Sequence, residues 1–351
     1  MSSLLEIDDL SVTYSRGLGR SPFVAVSDLS LTVGRGETVS IVGESGSGKS
    51  TIGSAILGLQ PAASGSIRLE GSDITRLSRS KRASLRSTLQ AVFQDPFSSL
   101  DPSQSIGDAV AEPLRVAEPN LSPAERAERV RAMLGKVGIA PSAMGKFPAE
   151  FSGGQRQRIA IARALVLEPK IVVCDEAVSA LDVSVQAQVL NLLAQLQRDV
   201  GTSYVFISHN MAVVRHISDR VVVLYRGRVM EEGPAADVCD RPAHPYTRSL
   251  LASVPVPDVE AQKLRREARA VASVQSGFAP KDGVGCPFAP RCPFATQACV
   301  DVTPPLVDVG DGRRAACIRL GEIPPTDGVP ALSVAGGAAA AALADAPDHL
   351  L

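Results

Sequence analysis

The chain has 351 residues, and its 45% hydrophobic content suffices for one large domain with an appendage or for two domains. A net charge of −1, an aromatic content of 4% and the absence of tryptophan argue against a nucleic-acid-binding protein, which usually combines a basic surface with base-stacking rings. No apolar run is long enough to cross a bilayer and no secretion signal is visible, so the expected compartment is the cytoplasm, where thiols stay reduced.

The first part of the chain alternates short apolar runs with turns. These runs predict strands at residues 4–14, 23–33, 38–42, 66–69 and 89–93. Helical spacing then predicts an inserted helical subdomain at about residues 95–165. Strands and helices alternate again over residues 151–240, which is typical of an α/β fold with a mostly parallel sheet.

A glycine-rich stretch, GESGSGKST, lies between the strand at 38–42 and helical spacing at 51–59, and it matches G-x-x-x-x-G-K-[ST] in full. Its glycines let backbone N–H groups turn inward around phosphates. Lys49 is expected to reach the β- and γ-phosphates, and Ser50 to ligate magnesium. The strand and helix on either side disfavour a chance match. The predicted nucleotide-binding residues are Gly43, Glu44, Ser45, Gly46, Ser47, Gly48, Lys49, Ser50 and Thr51.

The stretch FSGGQRQR offers a second phosphate-binding element, ahead of a helix predicted at 155–167. It combines a serine hydroxyl and a glycine pair with a helix N-terminus, whose N–H groups and partial positive charge favour phosphate oxygens. Because one phosphate loop is already present, this second element makes sense for a nucleotide held by another subunit. The candidate residues are Ser152, Gly153, Gly154 and Gln155.

The apolar run IVVCDE at residues 171–176 ends in two carboxylates. A strand of this kind places its last side chains at the carboxyl edge of the sheet, beside the phosphate loop. Asp175 would hold magnesium, and Glu176 would polarise the attacking water as general base. Many strands end in solvated acids, but the order of the three motifs favours the functional interpretation.

Together these motifs resemble the ATP-binding subunit of an ATP-binding-cassette (ABC) transporter, over about residues 4–253. The resemblance implies a P-loop NTPase fold that has an antiparallel β subdomain besides the helical one. It also implies that Tyr14 stacks on adenine, Gln94 senses magnesium and contacts the membrane subunit, and His209 contacts the γ-phosphate. The simpler alternatives are strand-end packing for Tyr14, turn chemistry for Gln94 and helix entry for His209.

Phosphoryl transfer to water develops charge on the γ-phosphate oxygens, so the protein mainly positions groups and neutralises that charge. Lys49, Glu176 and His209 are the expected catalytic groups, and Ser50, Gln94 and Asp175 the expected magnesium ligands. Ser152 and Gly154 would serve the ATP of a second ABC ATPase subunit. Two bound ATP molecules would then hold two ATPase subunits together, and hydrolysis would let the subunits separate.

The segment RPAHPYTRSLLASVP, at residues 241–255, resembles the extension of oligopeptide and dipeptide importer ATPases. The resemblance implies peptide import, although related subunits serve glutathione or nickel uptake. The segment would also suit a helix that docks on the cassette. Implied partners are two membrane-spanning permeases, an extracytoplasmic substrate-binding protein and a second ATPase subunit, expected to be a different chain. No nucleic acid is expected, and the location would be peripheral, at the cytoplasmic face of the inner membrane.

Four cysteines cluster in the Pro-rich segment that follows: Cys286, Cys292, Cys299 and Cys317. Disulfides are disfavoured in the cytoplasm, and zinc sites usually contain tight C-x2-C pairs, which are absent here. Iron–sulfur clusters accept more varied spacing, and the importer ATPases that this segment resembles carry a 4Fe-4S cluster. Zinc and uncoordinated thiols remain alternatives. Cys174 and Cys239 are predicted to be packing residues.

The predicted domain organisation is an ABC ATPase domain at residues 4–253, a Cys-rich extension at 254–324 with a charged link at 258–270, and a disordered tail at 325–351. One rival is a soluble ABC ATPase of nucleic-acid maintenance, which would insert long coiled coils between its motifs. Another is a GTPase, which would need an N-K-x-D motif. Neither feature is present in the sequence.

Overall fold

The computed structural model describes residues 3–17, 21–95, 99–254, 276–280 and 283–324. The predicted link at 258–270 and tail at 325–351 lie outside the described residues. The chain divides into two compact units, each built from segments distant in sequence. The first unit comprises Met1–Val12, Ser30–Thr38 and Ser50–Ile207, and the second comprises Thr13–Leu29, Val39–Lys49 and Ser208–Leu351. The domain boundaries given above stay predictions.

The strands are β1 (Leu5–Tyr14), β2 (Phe23–Val33), β3 (Thr38–Val42), β4 (Ser64–Leu69), β5 (Ser72–Asp73), β6 (Leu89–Val92), β7 (Ile171–Asp175), β8 (Ser203–Ser208), β9 (Arg220–Tyr225), β10 (Arg228–Pro234), β11 (Val307–Gly310) and β12 (Arg313–Ala315). The helices are α1 (Lys49–Leu57), α2 (Arg79–Arg82), α3 (Ile106–Ala117), α4 (Pro123–Lys136), α5 (Gly153–Leu165), α6 (Val183–Val200), α7 (Met211–Ile217), α8 (Ala235–Asp240), α9 (Pro245–Ala252) and α10 (Ala298–Asp301). No helix in the described part of the chain has the length and apolar character needed to cross a membrane.

Parallel strands form the centre of the first unit. β7 pairs with β6 on one side, where Ile171 lies opposite Leu89, and with β8 on the other, where it lies opposite Ser203. Nearly every residue of β7 and β8 is buried, which explains why both strands are continuous apolar runs in the sequence. A smaller antiparallel sheet in the same unit contains β1, β4 and β5.

Helices α3, α4 and α5 pack against one another in the first unit. Each begins at a serine, Ser105, Ser122 or Ser152, whose hydroxyl accepts the N–H group of the residue three positions later. Such caps satisfy an otherwise unpaired helix donor. Ser122 and Ser152 also take part in full capping boxes, with Glu125 and Gln155 respectively. The local sequence therefore defines where these helices begin.

Strands of both directions occur in the second unit. β9 is parallel to β3, but it pairs antiparallel with β10, and β12 and β11 continue the sheet antiparallel. The reversal occurs at Arg226 and Gly227, whose φ angles of 47° and 79° match a type I′ hairpin turn. The predicted mostly parallel sheet is thus a mixed one. β10 has only a weak sequence pattern, because this strand buries Glu231 and Glu232 among its apolar residues.

Helix α9 is held in the second unit by buried polar contacts. His244 caps it, since its Nδ1 accepts the N–H group of Tyr246. Burial lowers the pKa of His244 to about 3, so this cap is a neutral imidazole. The carboxylate of Glu231 accepts the N–H groups of Ala243 and His244. The segment at 241–255 therefore does contain a docked helix, as the simpler alternative expected.

Candidate ATP site and cysteine cluster

The phosphate loop connects β3 to α1. In the second unit, the buried Lys49 folds back into this loop, and its Nζ donates to the carbonyl oxygens of Gly43 and Glu44, each at 2.9 Å. The buried hydroxyl of Ser47 has no hydrogen-bond partner within the described part of the chain. A loop that concentrates one ammonium group and one unsatisfied hydroxyl is suited to anionic oxygens.

Two glycines of this loop are required by close contact, and one of them, Gly48, is also required by its backbone conformation. A Cβ atom on Gly43 would lie 2.1 Å from the carbonyl oxygen of Leu224. A Cβ atom on Gly48, whose φ is 104°, would lie 2.4 Å from the carbonyl oxygen of Ala25. Both neighbours are backbone atoms that cannot rotate away. Any larger residue at either position would therefore displace the loop.

In the first unit, two of the three predicted magnesium ligands, Ser50 and Asp175, contact each other. Ser50, in the first turn of α1, donates its hydroxyl hydrogen to Asp175 Oδ1 at 2.9 Å. Asp175 ends β7. Two oxygen-bearing side chains from separate elements thus meet at the carboxyl edge of the parallel strands. Such ligands are the kind that Mg²⁺ prefers.

Glu176 adopts an uncommon backbone conformation directly after Asp175. Its φ is 48°, in the left-handed region, and its N–H group donates to the carbonyl oxygen of Ile207 at 3.0 Å. Its own carbonyl oxygen accepts the N–H group and the hydroxyl of Ser179. The carboxylate-bearing residue is therefore held from both sides by the backbone of β8 and by the turn that follows β7.

The FSGGQ segment forms the N-terminus of α5 in the first unit. Ser152 and Gln155 are exposed and exchange hydrogen bonds in the capping box. A Cβ atom on Gly154 would lie 2.3 Å from Val185 Cγ1, so this glycine also allows the close approach of α5 to α6. The serine hydroxyl has a local structural role in addition to any role at a phosphate.

The remaining predicted residues lie at the ends of strands. Tyr14 is 38% exposed at the end of β1, and Gln94 is exposed two residues after β6. His209 is exposed after β8, while the cap of α7 is provided by Asn210, whose side chain accepts the N–H group of Ala212. Capping by His209 is therefore not needed. The roles given to these three residues stay predictions.

The four clustered cysteines line one small cavity of about 20 Å³ in the second unit, together with His244 and Phe294. Burial raises the pKa of Cys286 to about 12 and that of Cys292 to about 11, and it also raises the pKa of Cys317. At neutral pH these three thiols are therefore protonated. Within the described part of the chain, no group of three or more His, Cys, Asp or Glu side chains is arranged so that it could hold a metal ion.

Two family models match the sequence. The ABC transporter model covers residues 26–179, and the model of the oligopeptide/dipeptide transporter C-terminal region covers residues 230–299. The oligopeptide transport ATP-binding protein OppF of Salmonella typhimurium is 46% identical over 325 residues, which is 90% of this chain and 96% of OppF. The di/tripeptide transport ATP-binding protein DppF of Pseudomonas aeruginosa is 45% identical over 323 residues, which is 90% of this chain and 98% of DppF.

This chain belongs to the ATP-binding subunits of oligopeptide/dipeptide-type ABC transporters. Solved structures agree at the level of the fold. CbiO1 of Clostridium perfringens, part of the ABC transporter complex cbiONQ, is 30% identical with a TM-score of 0.61 and matches 68% of this chain and 91% of its own. The ATP-binding cassette MJ0796 bound to ADP and Pi is 29% identical with a TM-score of 0.60 and matches 66% of this chain and 98% of its own. The predicted P-loop ABC ATPase is confirmed.

Two residues of this ABC ATPase that contact the phosphate loop were missed in the sequence. The hydroxyl oxygen of Tyr246, in α9, accepts the N–H group of Glu44 at 2.9 Å. Arg291, between two of the clustered cysteines, forms a bidentate ion pair with the carboxylate of Glu44, at 2.7 and 2.9 Å. Tyr246 lies in the stretch HPY and Arg291 in the stretch APRC. Because neither stretch is a phosphate-binding motif, the sequence alone did not point to a role for these residues at the phosphate loop.

Proposed function

We propose that this chain is the ATP-hydrolysing subunit that powers peptide import across the cytoplasmic membrane. The observation that carries the hydrolytic part is the hydrogen bond between Ser50 and Asp175, which joins the end of the phosphate loop to the end of β7. The relatives named above, which are peptide transport ATP-binding proteins, support the cargo class. Glutathione and nickel are the alternative cargoes.

Ser50 and Asp175, with Gln94, would hold Mg²⁺, and their oxygen atoms suit this ion. Bound Mg²⁺ supplies positive charge beside the β- and γ-phosphate oxygens. The chain itself supplies Lys49, whose ammonium would exchange the carbonyl oxygens of Gly43 and Glu44 for phosphate oxygens. The phosphate loop therefore contains both the charge and the flexible donors that ATP requires.

Glu176 is the proposed general base. Its backbone is held by the contacts to Ile207 and Ser179, so its carboxylate starts from a defined position after β7. It would orient a water molecule and take its proton as the water oxygen bonds to the γ-phosphorus, while the bond to the β–γ bridging oxygen breaks and ADP leaves. His209 would contact the γ-phosphate, and the half-exposed ring of Tyr14 would stack on adenine.

The N-terminus of α5 would act on the ATP of a second ABC ATPase subunit, through Ser152, Gly153, Gly154 and Gln155. The Ser152 side chain is exposed, and the capping box does not use the N–H groups of Gly153 and Gly154, so these groups would serve that nucleotide. The second subunit is proposed to be a different chain. Two permeases and an extracytoplasmic substrate-binding protein complete the assembly, with this chain at the cytoplasmic face of the inner membrane.

The four cysteines are proposed to bind a 4Fe-4S cluster. They lie in the proposed C-terminal extension, residues 254–324, which follows the proposed ATPase domain at residues 4–253. The donor set supports this, because soft thiolates suit iron–sulfur clusters and all four side chains line one cavity. When bound, such a cluster would cross-link the segment that contains Cys286 to the one that contains Cys317. Its proposed role is structural or regulatory.

The function is tested with the complete transporter in proteoliposomes. ATP hydrolysis should increase when the binding protein carries a peptide. Labelled peptide should accumulate on the side of the membrane opposite the binding protein. Glutathione and Ni²⁺ serve as competing cargoes. Uptake of either one without any peptide uptake would overturn the peptide assignment, and absence of ATP hydrolysis under all conditions would overturn the enzymatic one.

The cluster is tested by iron and sulfide analysis and by visible absorbance of the full chain purified without oxygen. Four irons per chain and a broad visible absorbance band are expected at roughly full occupancy. Cys292→Ser should lower the iron content, whereas Cys239→Ser, which alters a buried cysteine outside the cavity, should not. Iron-free protein with zinc or intact thiols would exclude the cluster.

A further inference from the structure

Glu44, the second residue of the phosphate loop, is held at three points. Its side-chain carboxylate pairs with both terminal nitrogens of Arg291, and its N–H group donates to the hydroxyl oxygen of Tyr246. Its carbonyl oxygen accepts the Lys49 ammonium and the N–H group of Ser47. Two of these three anchors come from the C-terminal part of the chain, and all five residues lie in the second unit.

Arg291 is fixed in position before it reaches Glu44. It ends the 3-10 turn Ala289–Arg291, and its guanidinium carbon lies 5.6 Å from the ring centre of Phe288 and 5.9 Å from that of Tyr225. The Glu44 carboxylate raises the pKa of Arg291 further, so its charge is permanent. A planar guanidinium that stacks on rings and binds a carboxylate through two nitrogens cannot be replaced by lysine without loss.

Tyr246 belongs to the same aromatic group. Its ring centre lies 4.5 Å from that of Tyr225 and 5.3 Å from that of Phe288. The ring is fully buried, and its hydroxyl oxygen reaches the Glu44 N–H group. Because aromatic packing fixes the ring, the position of this hydroxyl follows from the core of the second unit. The contact therefore transmits the position of α9 to the phosphate loop.

We propose that Arg291 and Tyr246 are positioning residues of the ATP site, which hold Glu44 so that the phosphate loop keeps its nucleotide-binding conformation. The inference rests on the proposed function, and it gives the C-terminal segment a direct influence on ATP affinity. Arg291 directly precedes Cys292, whose side chain lines the cysteine cavity, so the same turn places both residues. Preorganisation of this kind acts on affinity by lowering the cost of ordering the loop.

The first experiment measures the Kd of Mg-ATP for the full-length chain by titration calorimetry. Arg291→Gln should weaken binding by about three- to tenfold, a modest effect because both side chains of the ion pair are partly exposed. Arg291→Lys should give an intermediate value. Arg241→Gln is the matched control, because Arg241 forms exposed ion pairs with Asp237 and Asp311 in the same unit. Its Kd should equal that of the unmodified chain.

A double-mutant cycle separates positioning from a general structural effect. Glu44→Gln and Arg291→Gln should each weaken ATP binding. The double variant should bind ATP no more weakly than the single variant that has the larger loss. Additive losses would show that the two residues act separately and would overturn the inference. The melting temperature measured without nucleotide should shift no more for Arg291→Gln than for Arg241→Gln. If Arg291→Gln does not fold, Glu44→Gln tests the same ion pair from the loop.

Tyr246→Phe tests the second anchor, because it keeps the buried ring and removes only the acceptor oxygen. ATP affinity should fall about three- to tenfold, as expected for loss of a hydrogen bond that leaves a backbone donor unpaired. Unchanged affinity in both Tyr246→Phe and Arg291→Gln would overturn this inference while the proposed function stands. Failure of the unmodified chain to bind ATP would instead overturn the proposed function.

Discussion

At the scale of single residues, Glu176 shows that an unusual backbone conformation does not by itself indicate a catalytic role. Its φ of 48° is unusual for a non-glycine residue, yet Glu168 has a φ of 50° in the same unit without any proposed role. Positive φ alone is therefore not diagnostic of function here. The position of Glu176, directly after the Asp175 carboxylate that contacts Ser50, is what supports the assignment.

Glu176→Gln should leave ATP affinity unchanged and slow hydrolysis in the assembled transporter by about 10²–10⁴-fold, because the amide cannot accept the water proton. Turnover is measured by phosphate release and binding by calorimetry. Glu168→Gln is the control, since it makes the same change at an exposed residue with the same backbone conformation. Equal turnover in the two variants would remove Glu176 from the role of general base.

Gly43→Ala should lower ATP affinity by about tenfold or more, because its Cβ atom would collide with the carbonyl oxygen of Leu224. Calorimetric titration of ATP measures the effect. Gly135→Ala makes the same substitution inside α4, where a Cβ atom meets no atom within 4 Å. That control should stabilise the chain by about 0.5–1 kcal/mol, because alanine is the better helix former. Normal ATP binding by Gly43→Ala would contradict the loop geometry.

At the scale of elements, a cluster of charges joins three separate segments of the first unit. Glu70, in the turn between β4 and β5, pairs with Arg35 at 2.6 Å and with Lys170 at 2.8 Å. Lys170 precedes β7, so the cluster connects the antiparallel sheet of this unit to its parallel strands. Hydrogen bonds from Lys170 and Arg35 hold the pKa of Glu70 below the ordinary value of a glutamate.

This lowered pKa makes a prediction about acid stability. A carboxyl group with a lower pKa in the folded state adds stability above its unfolded pKa, and this stability is lost as the pH falls through the folded value. Glu70→Gln removes the titration, so the difference in melting temperature between the unmodified chain and the variant should shrink as the pH falls below about 4.5. A difference that stays constant between pH 7 and pH 3 would show that Glu70 does not contribute in this way.

The predictability of elements followed their apolar content. The bounds of β2 at 23–33 and of β3 at 38–42 match the predicted ones, because buried strands have clear apolar patterns. β10 was missed since it buries two glutamates, and β11 and β12 are short strands with few buried residues. The hairpin at Arg226 and Gly227, which reverses the sheet direction, has only one glycine as a sequence signal.

At the scale of the whole molecule, the N-terminus of α5 is the feature on which the proposal of a second ATPase subunit rests. Its serine caps its own helix, so a loss of activity on mutation could reflect either helix stability or contact with a partner's nucleotide. The chain offers a matched comparison, because Ser122 caps α4 through the same kind of capping box. The two serines differ in the proposed role but not in the local structure.

Ser152→Ala should reduce ATP turnover of the assembled transporter by about 10–100-fold, because one donor to the transition state is lost. The ATP affinity of the isolated chain should not change, since the proposed contact is to another subunit's nucleotide. Ser122→Ala removes a similar cap and should leave turnover within about twofold. If both variants lose turnover equally, the effect is one of helix stability and the shared-site proposal fails.

The sequence by itself determined the ATP chemistry, because a phosphate loop, a strand ending in two acids and an FSGGQ segment are contiguous motifs whose local conformations follow from glycines, caps and apolar runs. The tertiary structure alone decided which residues support that chemistry. Tyr246 and Arg291 lie 202 and 247 residues from Glu44 along the chain, and only folding brings them to it. Contacts between distant, non-periodic residues depend on how elements pack, and no local pattern encodes that packing.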